Sequence, residues 1–334
     1  MLNEGPKHRM KIHYTFDDSA ARLPLSIRSE EGVWDRAADL RNAPGVQLVE
    51  LTTQHMLNTG AMLIDELAHY FEAGSASESD PYALALCYSN REQLEDLLRD
   101  LRGTQNLASF REVEALFPVT FMRDLHFTLA LTTVGVSAFG YVRSFKDSEG
   151  EEYHGMVVNL AQARPHLETV LGQFSLSLLV DVIRRGFFNH MGFRIAYAEY
   201  TGAIGRSSDR PLDKLKDALL SRGIAWYLSY QNDLDFYTQM LDLNGERLAS
   251  YARHWNSTVE SIQRRSLSDD TLEEWLRRGD FHHPGELYVD ALGFHAARTV
   301  FAAQGNKGLR EAIMQGGDQF LAQYNACAEH KLKT

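Results

Sequence analysis

His190 stands in the run Asp181-Val182-Ile183-Arg184-Arg185-Gly186-Phe187-Phe188-Asn189-His190-Met191-Gly192-Phe193, apolar enough for a buried helix. A helix of the type H-E-x-x-H sets two imidazoles one turn apart on one face to hold zinc, and the intervening glutamate activates water. His190 takes the place of the second histidine. One turn earlier the chain has Gly186, and the base position is Phe187, so two of the three functional groups are missing. A single histidine among Phe187, Phe188, Met191 and Phe193 is more often a hydrogen-bonded core residue than a ligand or a base.

Arg222, in Ser221-Arg222-Gly223-Ile224-Ala225-Trp226-Tyr227, precedes a glycine and apolar residues. Its guanidinium is either a bidentate fork for a carboxylate or phosphate, or the partner of a carboxylate such as Glu199 or Asp217. Arg184 and Arg185 read as solvated. Glu199, nine positions after His190, reads as a surface acid, with a place beside the site as the other reading. Tyr288 and His295 share a helical stretch and serve equally well as donors to a ligand or as polar core residues. His282 and His283 lie in a Gly/Pro-flanked loop, and His126 in an alternating strand of undetermined face, so His126, His282, His283 and His295 form a weaker, relocated route to a metal. The rings of Phe187, Phe188, Phe193, Tyr197, Trp226, Tyr227 and Tyr230 line a cleft or fill a core. No nucleotide-binding glycine loop and no nucleophile elbow occurs in a suitable context.

A net charge of -11 argues against a nucleic-acid backbone as the main partner, since that needs a basic face. Cys87 and Cys327 are too few for a disulfide framework and read as ordinary thiols. No apolar leader or spanning run is legible, so the expectation is a cytoplasmic protein with no membrane partner.

The elements that must position these residues are mostly helices. Met10 to Phe16 alternates as a short strand, and Asp17-Asp18-Ser19 opens a helix. Helical spacing predicts one long helix over Leu51–Phe71 and another over Asn90–Leu101. Strand formers then dominate Leu125–Leu131, Ala138–Phe145 and Gly155–Leu160. From about Pro165 the chain reads as helix: Leu167–Ala198, Leu212–Tyr230, Leu234–Arg265, Ser268–Arg278, Glu286–Ala303, Leu309–Met314 and Asp318–Glu329. The expectation is an α+β fold, helix-dominated, with a small β-sheet preceding a long central helix. Residues 1–164 carry the first helices and the sheet, and 165–334 form a helical part.

Three segments carry a resemblance over most of the chain: Phe188-Asn189-His190-Met191-Gly192-Phe193, then Leu219 to Tyr227, then Gly293-Phe294-His295-Ala296-Ala297-Arg298 followed by Gly305 and Leu309. Together they resemble bacterial zinc-dependent peptidases of the gluzincin type. The resemblance implies a zincin-like fold, a metal helix ending at His190, and Arg222 in place of a ligating glutamate. It also implies that the sheet edge binds a substrate backbone by strand addition. With Gly186, Phe187 and Arg222 where two ligands and the base belong, the expectation is no zinc, no cofactor and no peptidase activity of the ancestral kind. What remains is a pseudopeptidase that binds a peptide or a small anionic ligand in the former cleft, with His190, Arg222, Tyr227, Tyr288, His295 and Glu199 as its candidate residues. The alternative is a metal-independent enzyme on a small molecule, with His190 as acid/base and Arg222 as anion clamp.

Overall fold

The computed structural model describes residues 10–102, 110–136, 138–146, 152–171, 175–183, 188–206, 208–230, 243–264, 271–272 and 288–334. The fold is α+β and helix-dominated, with a small four-stranded sheet. The chain divides into two compact units, each drawn from separated segments. One comprises His13–Leu107 and His126–Arg184, the other Met1–Ile12, Ala108–Leu125 and Arg185–Thr334.

In the sheet, β1 (Lys11–Asp17), β2 (Asp124–Thr132), β3 (Gly140–Lys146) and β4 (Glu152–Asn159) lie in the order β1-β2-β4-β3. β4 runs parallel to β2 and antiparallel to β3, so β3 is an edge strand of the described sheet. Alternation sends Phe127, Leu129, Leu131, Met156 and Val158 to one buried face. On the other face the backbone of Gly155 lies under Leu48, where a Cβ would come within 2.5 Å of Leu48 Cδ2.

The unit that holds His13–Leu107 contains α1 (Ser19–Ser26), α2 (Glu30–Asp35), α3 (Ala37–Asn42), α4 (Pro44–Leu57), α5 (Leu63–Ala73), α6 (Leu84–Ser89) and α7 (Arg91–Arg102). Asp17 joins two helix starts, accepting from the Ser19 amide at 2.7 Å and from the Gly45 amide at 3.0 Å. The capping role read for this acidic pair therefore falls on Asp17, while Asp18 pairs with Arg22 and Arg102. The single helix expected over Leu51–Phe71 is two. Asn58 takes a left-handed conformation (φ 48°) that ends α4, and Glu50 Oε1 accepts from the Leu63 amide at 2.7 Å to start α5. In α7, Leu94, Leu97, Leu98 and Leu101 are buried as their spacing predicts.

The second unit contains α8 (Arg111–Leu116) and, after α9 (Leu160–Leu171) and α10 (Leu176–Asp181) of the first, α11 (Phe188–Ala203), α12 (Pro211–Tyr230), α13 (Gly245–Gln263), α14 (Tyr288–Gln315) and α15 (Gly317–Cys327). The long helix expected over Leu167–Ala198 is thus divided. Asn159 Oδ1 accepts from the Ala161 amide at 3.1 Å to open α9 early, and Ser175 caps α10 through the Leu178 amide at 3.2 Å. Within α14 the backbone breaks at Gly305 (φ 61°, ψ -156°), between the two helical runs expected there. The run expected over Ser268–Arg278 lies almost wholly outside the described residues, as does the start of Leu234–Arg265. The chain end is tied down: Trp255 Nε1 donates to the Lys333 carbonyl at 3.0 Å, and the Lys333 amide donates to Asn256 Oδ1 at 2.7 Å.

Candidate functional site

α11 and α12 bring the histidine and arginine segments together. The His190 ring lies 4.2 Å from that of Trp226, centroid to centroid, at 53°. Both residues are 5% exposed. Arg222, half-buried, precedes Trp226 by one turn and so stands on the same face of α12. α11 is buried along most of its length because Phe193 packs against Phe117 and Tyr197, and because Gly192 admits Phe110, whose Cε1 is 2.4 Å from where a Cβ would sit.

Zinc does not fit this place. Catalytic zinc needs three donors and an open position. Here one imidazole is covered by an indole, and a guanidinium side chain is attached one turn before that indole. Gly186 and Phe187, which lack donors by sequence, are outside the described residues with Arg184 and Arg185. Among the described residues, no three or more His, Cys, Asp or Glu side chains gather to hold an ion.

Glu199 stands on α11 nine residues from His190, about two and a half turns, which places it on the opposite side of the helix. Tyr227 is buried against Phe301 (5.1 Å), and burial pushes its hydroxyl up to about 12, with Glu112 adding to the rise and Arg298 opposing it. Tyr288 is buried with its ring 4.6 Å from that of His254. His295 meets Tyr324 edge-on at 5.9 Å. Burial holds the His295 imidazole below its ordinary range, reinforced by Arg298 and His330. The structure therefore joins His190 to the Arg222 face, and gives Tyr227, Tyr288 and His295 separate aromatic partners. His126 is exposed on β2, stacked on His13. His282 and His283 lie outside the described residues, and so does the Tyr230 side chain.

The glycines of the two remaining motif segments meet directly. α12 and α14 cross with Gly223 against Gly293: a Cβ on Gly223 would lie 2.3 Å from the Gly293 carbonyl carbon and oxygen, and one on Gly293 would lie 2.5 Å from the Leu219 oxygen. Backbone touches backbone, so the spacing Arg222-Gly223 and Gly293-Phe294 has a packing cause independent of any ligand.

A second place was missed in the sequence. A cavity of about 390 Å³ is lined by Thr201, Arg206, Lys216, Asp217, Gly317 and Asp318, among others. Arg206 spans its wall, donating to the carbonyls of Ile313 (2.7 Å) and Met314 (2.9 Å) and to Tyr197 Oη (3.2 Å). The Tyr197 hydroxyl in turn donates to Asp217 Oδ1 at 2.5 Å. Burial raises the Asp217 carboxyl above its usual range against the opposing pull of Tyr197 and Arg206, and it raises the Tyr197 phenol as well. Lys216, itself buried, reaches Asp318 Oδ1 at 2.6 Å beside the start of α15. Cations and carboxylates are matched here, so the wall is polar and well anchored. The signal in the sequence was the charged run from Arg206 to Asp217 with the later Gly316-Gly317-Asp318, whose members are too far apart to be joined without the fold.

No described helix is long and apolar enough to cross a membrane. Comparison of the chain with protein-family models, with curated proteins and with solved structures finds no match.

Proposed function

We propose that the chain is a zincin-like pseudopeptidase: a scaffold related in design to the gluzincins that binds a peptide or a small anionic ligand and does not cut it. The observation that carries the reading is the packing of His190 against Trp226. A ligand or general base has to reach its metal or substrate, and an imidazole 5% exposed beneath an indole is placed to fill space. The edge position of β3, antiparallel to β4, supports the peptide part, because an edge strand offers unpaired amides and carbonyls to an extended chain. Arg222, half-buried on the same face of α12 as Trp226, supports the small-anion part, since a guanidinium offers a fork to a carboxylate or phosphate.

The test is metal analysis of the purified chain after chelation and zinc reloading, in parallel with His190→Ala. It is run with an anisotropy titration of a fluorescein-labelled unstructured peptide and a mass-spectrometric check of that peptide afterwards. The expected result is saturable binding, an intact peptide and a zinc content that His190→Ala leaves unchanged. One zinc per chain lost on His190→Ala, or a cleaved peptide, overturns the proposal.

A further inference from the structure

The cavity beside α15 lies wholly within the unit that holds Arg185–Thr334, and the first turns of α12 and α15 both line it. The two helix starts are pressed together. Gly316 turns the chain with a positive φ (94°), and Gly317 rests on α12, where a Cβ would come within 2.6 Å of Lys216 Cβ and 2.7 Å of the Lys216 carbonyl carbon. No side chain caps the first amides of α15. Among the described lining residues four cations, Arg206, Arg210, Lys214 and Lys216, meet three carboxylates. Asp213 holds Arg210 at 2.6 Å and Asp318 holds Lys216 at 2.6 Å, while Arg206 donates to carbonyls and to Tyr197. Lys214 pairs with no carboxylate among the described residues. Burial also favours the neutral form of Asp217, so the balance of the lining is positive.

The pairing of Lys216 is uneven. Its side chain is 9% exposed and that of Asp318 is 75% exposed. A buried ammonium needs a counter-charge. Here the counter-charge is a solvent-facing carboxylate in the first turn of α15, where open amides and the helix dipole also favour an anion. We propose that the cavity binds a phosphate group, free or carried on a small molecule, which displaces the Asp318 carboxylate from Lys216 and takes its place at the start of α15. Phosphate suits the place better than a second carboxylate. It carries more negative charge, and its oxygens can accept from the Lys216 ammonium and from helix amides together. Lys214 supplies the surplus positive charge. The volume of about 390 Å³ is that of a small-ligand site and leaves room for the body of a phosphorylated molecule. Neither His190 nor Arg222 lines the cavity, so the site stands apart from the pseudopeptidase reading.

The experiment is isothermal titration of the full chain with inorganic phosphate and, separately, with glucose 6-phosphate. Glucose and sodium chloride at matched ionic strength are the controls. One phosphate group per chain is expected, and the tighter of the two probes names the source. Lys216→Met should weaken binding at least about tenfold and Lys214→Ala about threefold, because a buried charge-assisted hydrogen bond contributes more than a screened charge. Asp318→Asn removes the resident competitor. It should lower the melting temperature of the free chain and yet tighten phosphate about threefold, with a larger phosphate-dependent rise in melting temperature than wild type. A purely structural Lys216–Asp318 pair predicts no such tightening. Circular dichroism checks each variant, and Asp318→Asn with Lys214→Ala decides the matter should Lys216→Met fail to fold. No binding beyond the chloride control, affinity that all three variants leave unchanged (an adventitious ion only), or weaker binding in Asp318→Asn overturns the site. His190→Ala, which decides the pseudopeptidase reading, should leave phosphate binding unchanged.

Discussion

Replacing Gly223 by alanine reverses the usual effect of that substitution. In an ordinary helix interior the added methyl stabilises by about 1 kcal/mol through propensity and unfolded-state entropy. Here the new Cβ lands 2.3 Å from the carbonyl carbon and oxygen of Gly293, so α12 and α14 must part by about 1 Å to restore ordinary contact. The opposing atoms are backbone, and no rotamer change relieves them. Parting the helices also loosens Leu219, Leu220, Ile224, Phe294 and Ala297, all completely buried. Overpacking alone costs about 1–3 kcal/mol. With the lost packing added and the propensity gain subtracted, Gly223→Ala should destabilise by about 3 kcal/mol, a fall of roughly 4 °C in melting temperature for a chain of 334 residues. Gly293→Ala should behave alike, and the double variant should cost less than the sum, since helices already parted admit the second methyl. Gly202→Ala is the control: nothing lies within 4 Å of its Cβ position, and a gain of up to about 1 kcal/mol is expected. Urea and thermal unfolding of wild type and the four variants read the outcome. A Gly223→Ala protein as stable as wild type refutes the backbone crossing.

Asp217→Asn should stabilise the protein at neutral pH. A carboxyl raised in the folded state binds more protons there than in the unfolded chain, so its contribution is complete below the ordinary carboxylate range and is lost as pH rises through the folded value. The advantage of the amide should therefore shrink to nothing below about pH 4, and equal pH profiles would contradict the assignment. Of the two thiols, Cys327 is exposed and should react with a disulfide reagent at once. Cys87, buried with its thiol pushed up to about 12 by burial, should react only on unfolding, and rapid modification of both in the native protein would contradict its environment.

Local patterns carried much of the fold. The alternation around Leu125–Leu131 and Gly155–Leu160 gave strands, and the leucine spacing of Asn90–Leu101 gave an amphipathic helix, because side-chain period is a property of a single segment. Boundaries were less legible. The break at Asn58 rests on a left-handed residue and on Glu50 reaching the Leu63 amide, and the opening of α9 rests on Asn159; such capping competes with propensity at close range and leaves little trace in hydrophobic spacing.

The sequence by itself determined which side chains these segments carry: Gly186 and Phe187 have no metal-binding group, and Arg222 has a cation. It also determined that the segments around His190, Arg222 and Gly293 are helical and apolar. Only the tertiary structure decided what those segments do to one another. It set His190 under Trp226, pressed Gly223 on Gly293, joined Tyr197, Arg206, Asp217 and Lys216 with the start of α15 into one polar wall, and stacked His13 on His126 across more than a hundred residues of chain. The physical reason is range. Composition and period act within a segment, whereas a binding site is a convergence of side chains from distant segments, fixed by close packing that the order of residues along the chain does not display.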